Sequence, residues 1–275
     1  MLALAVRLES QSFEVFGLLT LFVMTVYGPG DQFHRMLVGA LFAAALLFRE
    51  LLTNWLFWLA VSGSTLVTLV AYWGSGADYY LYLYWGLSIL VVLLTETSEV
   101  GLRKVMRLLV GSSFLVAAIS KCISPDFLSG AFYEYFLLTD MNRIAPVGIL
   151  FTELDLQTVI SNEASLQNLP SEVVQLESVS GIRQLAQLLT YLTLIVETSV
   201  AIGFLFNFSK WLREGSLLVF LVGTYLVAPV VAFGVSYAVM GFAQTESLKL
   251  KATYLILFFT IQFTPARSYI MYFLN

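Results

Sequence analysis

Long apolar runs, closed by short polar or glycine- and proline-bearing breaks, make up most of the chain. Lipid offers no partner for backbone N–H and C=O groups, so a run of about 20 apolar residues reads as a membrane-crossing helix. Such runs lie at about 13–27, 36–48, 52–73, 79–95, 105–123, 185–206, 216–242 and 252–263. The first stops at Gly28-Pro29-Gly30 and the second at Arg49-Glu50. The pattern predicts an all-α fold, a polytopic transmembrane helical bundle of about eight spans. No stretch alternates as the strands of a membrane barrel do. Tyr72, Trp73, Tyr79, Tyr80, Tyr82, Tyr84 and Trp85 crowd the facing ends of the third and fourth runs, the composition of an interfacial aromatic belt.

Composition strengthens this picture. The 275 residues are 59% hydrophobic and 12% charged, with a mean hydropathy of +0.85. That is too little charge to cover a water-facing surface of this size, which excludes soluble enzyme folds and disordered chains. The net charge of −4 excludes nucleic acid as a partner. The expectation is one membrane domain, 1–275, with 139–184 as an extracytoplasmic polar loop insertion. Glu9 and Glu14 interrupt any apolar run before Phe13, so no signal-peptide pattern is read. An even number of spans puts both termini on one side. The cluster Arg103, Lys104 and Arg107 makes that side the cytoplasmic one, in an inner or plasma membrane.

The polar insertion carries Asp140, Glu153, Asp155, Glu163, Glu172 and Glu177 against Arg143 and Arg183. Its Leu150-Phe151 and Val173-Val174 pairs are apolar enough to dock on the membrane surface or on a partner. It reads as a lid or docking loop, or as a solvated connector. The expected partners are membrane lipids and other membrane subunits, met through helix faces and 139–184.

Two charges lie inside the apolar text. Lys121 closes the fifth run and Glu197 sits in the middle of the sixth. Charges at such depth are costly, face the bundle interior and pair. The blander readings are a snorkelling lysine at a helix end and a protonated, hydrogen-bonded glutamate. The sharper reading is a shared polar site, in which desolvation turns the lysine into a base while a nearby carboxylate pushes the other way and keeps it charged. His34 reads as an interfacial residue and Cys122 as a small packing residue. With one His and one Cys far apart, no metal-ligand spacing exists. Glu96 and Glu99 face Arg103 and Lys104 in a solvated network. The pairs Gly39/Ala43 and Gly111/Ala118 read as close helix packing. Ser124, Pro125 and Asp126 form an N-terminal helix signal, predicting an interfacial helix over 125–138. Phe127, Ala131 and Tyr135 then share one face, with Leu128 and Phe132 beside them.

The stretch Gly111-Ser-Ser-Phe-Leu-Val-Ala-Ala-Ile-Ser-Lys121-Cys-Ile-Ser-Pro-Asp126-Phe-Leu-Ser-Gly130-Ala-Phe resembles the lysine-containing signature of the HTTM family, the membrane domain related to vitamin K-dependent gamma-carboxylase. DoxX-like proteins carry a related pattern, and the Glu197 helix is similar to the family's later glutamate-bearing helix. The resemblance spans about 105–206. It implies that Lys121 stands where the carboxylase has its catalytic lysine base, with Glu197 as partner, and that the ligand is a lipophilic quinone, another lipid or a membrane-delivered peptide. Two departures argue against glutamate carboxylation. The carboxylase has a large soluble domain after its helices, with nothing comparable in these residues. Phe220-Leu-Val-Gly-Thr-Tyr225 occupies the place of the family's histidine-bearing helix. The rival expectation is a non-catalytic accessory subunit of a membrane complex. A transporter ranks last, because Pro229 is the one break suggestive of discontinuous helices.

Overall fold

The structure is a computed structural model and describes residues 2–28, 32–71, 77–95, 99–140, 144–167, 176–206, 209–227 and 230–263. Among these the chain is all-helical and holds no strand. In chain order the helices are α1 (Leu2–Tyr27), α2 (Gln32–Leu47), α3 (Trp55–Ala71), α4 (Ala77–Leu94), α5 (Glu99–Cys122), α6 (Pro125–Leu128), α7 (Ala131–Thr139), α8 (Ala145–Phe151), α9 (Leu156–Gln167), α10 (Ile182–Phe206), α11 (Lys210–Val227), α12 (Val231–Gln244) and α13 (Leu248–Phe263). By length and composition α5 and α10 are long and apolar enough to cross a membrane; shorter apolar helices run over Ser12–Tyr27, Gln32–Leu47, Trp55–Ala71, Tyr79–Leu94 and Val231–Gln244. Pro29-Gly30, Tyr72, Trp73, Glu96, Arg143, Glu172, Val173-Val174 and Pro229 lie outside the described residues.

The chain divides into two compact units, one of residues 1–113 and 231–263 and the other of 114–230. In the first unit α1 and α13 run in the same direction. Lys251 donates to Ser12 Oγ at one end, and Tyr27 OH donates to Gln262 Oε1 at 2.7 Å at the other. Helix α12 runs against both α13 and α5. Gly241 faces the Tyr254 ring and Gly234 faces Ile261. Arg107 donates to the Gln244 carbonyl at 3.4 Å, and Tyr237 OH donates to Ser113 Oγ at 3.0 Å. Between α3 and α4 the helices approach closely at Gly86, where a Cβ would sit 2.6 Å from Ser62 Oγ. Trp58 and Trp85 are fully buried here, and the Trp58 indole N–H donates to the Leu52 carbonyl at 2.7 Å.

Three expectations are corrected at the level of elements. The third run does not start as a helix at Leu52: a 3-10 turn over Arg49–Thr53 comes first, and Asn54 Oδ1 accepts from the Leu56 amide to start α3. The run 216–242 is two helices, α11 and α12. Pro229, which has no amide proton with which to continue a helix, lies between them in the sequence. The helix expected over 125–138 is likewise two, α6 and α7, because Gly130 takes the left-handed conformation at φ +84°. Its amide donates to the Phe127 carbonyl, which closes α6.

In the second unit α10 and α11 form a hairpin, with Gly203 against the Arg213 backbone. The stretch expected as a polar loop holds α8 and α9. Their apolar residues Ala145, Val147 and Val159, with Ile144 and Leu154 beside them, join Phe127, Leu137, Ile182 and Ala186 in one buried cluster. The polar residues dominate the sequence pattern there, and the few apolar ones find their neighbours on other helices. Buried Asn162 closes the cluster: its amide donates to the carbonyls of Leu138 and Glu177, and its Oδ1 accepts from the Glu177 amide. Asp155 caps α9 by accepting from the Thr158 amide at 2.7 Å. That bond holds its carboxyl below the ordinary carboxylate value.

Candidate functional site

Helix α5 delivers Lys121 in its last turn, and α10 delivers Glu197 two-thirds of the way along. The two side chains meet, with Lys121 Nζ donating to Glu197 Oε1 at 2.5 Å. Their burial is unequal. Glu197 is 7% exposed and Lys121 28%, as expected of a short carboxylate stem and a long flexible amine. Glu197 Oε2 is buried and has no hydrogen-bond partner among the described residues. Removing two charges from water is repaid only by close geometry and full satisfaction of the remaining lone pairs. Here the geometry is close and one oxygen is unsatisfied.

The α5–α6 turn completes the surroundings. Ser124 Oγ accepts from the Phe127 amide and starts α6 with Pro125 in its first turn. This turn sets the Phe127 ring 5.6 Å from Lys121 Nζ, within cation–π range. Phe127 in turn packs on Phe132 and Tyr133, at ring separations of 5.5 and 5.6 Å. Tyr133 OH and Thr193 Oγ1 hydrogen-bond at 2.6 Å. Thr193 precedes Glu197 by one helical turn, so it lies on the same face of α10. Burial pushes the Tyr133 phenol above its ordinary value. The Thr193 hydrogen bond opposes this shift and the charge of Glu197 adds to it.

The expected shared face of Phe127, Ala131 and Tyr135 is not kept: Phe127 and Tyr133 are buried and Tyr135 is exposed. Gly130 resets the helical register between the two, and an unbroken-helix pattern misses that. Thr193 was findable from its i−4 spacing to Glu197. A second buried pair, Arg213 and Glu214 at 3.2 Å, had no such signal, because it reads as a charged helix start.

The other singled-out residues lie elsewhere. His34 is buried in the first unit, with Nδ1 3.2 Å from Ser64 Oγ. Ser64 on α3 supplies the polar partner that permits burial. Glu99 and Arg103 pair at 3.3 Å on one helix, and Arg103 also reaches Glu246 at 3.4 Å. Cys122 is exposed, which corrects its reading as a packing residue. It sits at the last position of α5, where its side chain turns away from the lysine's face.

Chemically, the pair can hold one proton between an amine and a carboxylate, beside an aromatic face and with apolar surroundings. Comparison of the chain with protein-family models, curated proteins and solved structures finds no match.

Proposed function

We propose that the chain is a multi-pass membrane protein of the HTTM/DoxX-like type whose Lys121–Glu197 pair binds a lipophilic, quinone-like ligand. The carrying observation is an ion pair set in two long apolar helices whose outer faces expose Val116, Ile119, Leu192 and Ile195. Exposed apolar faces of this extent suit hydrocarbon better than water. A ligand arriving through the bilayer reaches the half-buried lysine without crossing a polar surface.

The topology that fits best has nine crossings, α1–α5 and α10–α13, in place of about eight. In support, the shared direction of α1 and α13 puts the start of the one and the end of the other at opposite ends of the first unit. Lys249 and Lys251 then join Arg103, Lys104 and Arg107 at the end where α1 begins. That concentrates basic residues on one side, the cytoplasmic one by the positive-inside rule. The start of α1 is cytoplasmic and the end of α13 is not. Lys121, with α6–α9 as an interfacial cover, lies toward the extracytoplasmic leaflet.

The test is photo-crosslinking of a quinone bearing an azide or diazirine to the protein in nanodiscs. Adducts are expected within the α5–α7 and α10 peptides and are lost in Lys121→Ala while the variant remains folded in the membrane. Undiminished crosslinking in that variant removes the proposed site. A second reading, an accessory subunit, rests on the exposed Leu150-Phe151 edge of α8. A stoichiometric native complex that is insensitive to Lys121 replacement would favour it.

A further inference from the structure

We propose that Lys121 is an attachment point for a lipid-borne aldehyde, held as a protonated imine against the Glu197 carboxylate. The inference rests on the reading of this pair as a site open to lipophilic ligands, and goes beyond it in naming a covalent chemistry. An amine condenses with a carbonyl when three conditions are met. The nitrogen must be transiently neutral, a proton donor must carry off the carbinolamine hydroxyl as water, and the product cation must be stabilised.

The geometry meets each condition. With Nζ and Oε1 2.5 Å apart, moving one proton from nitrogen to oxygen gives a neutral amine and a neutral carboxylic acid and leaves no unpaired charge. The amine adds to the aldehyde carbon to give a carbinolamine. Glu197 then returns its proton to the carbinolamine hydroxyl, which departs as water. Amine, acid and aldehyde thus become iminium, carboxylate and water, with no oxidant or reductant required. The ion pair that opens the sequence is restored at its end, with the iminium in place of the ammonium. The Phe127 face, 5.6 Å from the nitrogen, stabilises a cation at both stages. Glu197 Oε2 has no donor among the described residues, so the lysine nitrogen is the carboxylate's one observed partner.

Access selects the class of aldehyde. Lys121 is 28% exposed, and the neighbouring exposed side chains include Val116 and Ile119 on α5 and Ile123 just after it. An approach across these residues favours a carbonyl on an alkyl chain over a water-soluble one. Lys104, Lys210 and Lys249, also exposed, serve as internal comparisons.

The experiment incubates the full chain in phosphatidylcholine nanodiscs with hexadecanal and cyanoborohydride, then maps the alkylated lysines by peptide mass spectrometry. Lys121 is expected to be alkylated about 10²-fold faster than Lys104, Lys210 or Lys249, the scale of one general acid–base group. Glu197→Gln is expected to bring Lys121 down to their rate without changing theirs. Alkylation of Lys121 no faster than the other lysines overturns the proposal, and the comparison within one wild-type molecule needs no variant to fold. An unchanged Lys121 rate in Glu197→Gln overturns it as well. If Lys121 is not favoured but the quinone photoprobe still labels the site, the imine chemistry alone fails. If the photoprobe also labels nothing there, the underlying reading of the site fails with it.

Discussion

Among the described residues, the hydrogen bond of Lys121 to Glu197 joins a charge on α5 to a charge on α10. Breaking a buried pair by removing one partner costs about 3–5 kcal/mol, because the survivor is left charged and unpaired. Lys121→Met is therefore expected to lower the melting temperature while leaving the protein folded, and Glu197→Gln to lower it less, since the half-buried lysine can reach polar surroundings. The double variant is expected to be more stable than the sum of the two losses, with a coupling of about 1–3 kcal/mol by thermal unfolding. Additive losses would mean that the pair contributes no mutual stabilisation. Tyr133 makes a separate prediction. Its folded phenol titrates above the ordinary value of 10.0, chiefly through burial. The stability it contributes is fully present below pH 10 and is lost as pH rises through the folded value. Tyr133→Phe should leave the second unit less sensitive to alkali, at a cost near neutrality of about 1 kcal/mol for the lost hydrogen bond. An unchanged alkaline melting profile would contradict this.

Among the elements, the α6–α7 joint carries the most positional information. Gly130 is left-handed at φ +84°, and a Cβ there would lie 3.3 Å from the Gln187 amide nitrogen on α10. Gly130→Ala adds about 1–2 kcal/mol of backbone strain and a steric conflict with a helix backbone. A clear drop in melting temperature is expected, with loss of amide-exchange protection at Tyr133; wild-type melting would show the joint to be pliant. Sequence pattern located this region and its capping Ser124, because capping is local chemistry. It missed the register change, because a glycine inside an amphipathic run signals a break only when something packs against it. The same limit explains α8 and α9, where the five apolar cluster residues in and beside the helices are scattered among polar ones, and His34, whose burial depends on a serine 30 positions away. The Lys121–Glu197 pairing was legible because two charges in apolar helices have few alternatives. The Phe127 face and the Tyr133–Thr193 bond were not, because each needs three-dimensional neighbours.

At the scale of the whole molecule, the shared direction of α1 and α13 is the feature with the sharpest consequence for topology. Reporter fusions or cysteine labelling before Ser12 and after Phe263 are expected to report opposite sides of the membrane. The same side for both would return the count to an even number and remove one crossing. Several helices that the proposed nine-crossing topology uses are short: α12 has 14 residues, about 21 Å of rise against a hydrocarbon core of about 30 Å. That topology requires a bilayer thinner than average around the protein, or flanking residues that complete the crossing. Lys121 and Glu197 are separated by 76 positions, which fixes an order of events during synthesis. At about 5–20 residues per second the ribosome needs roughly 4–15 s to travel from one to the other. On the proposed topology, α5 lodges through that interval with a solitary cation, sheltered by the insertion machinery or parked at the lipid headgroups until α10 arrives to neutralise it.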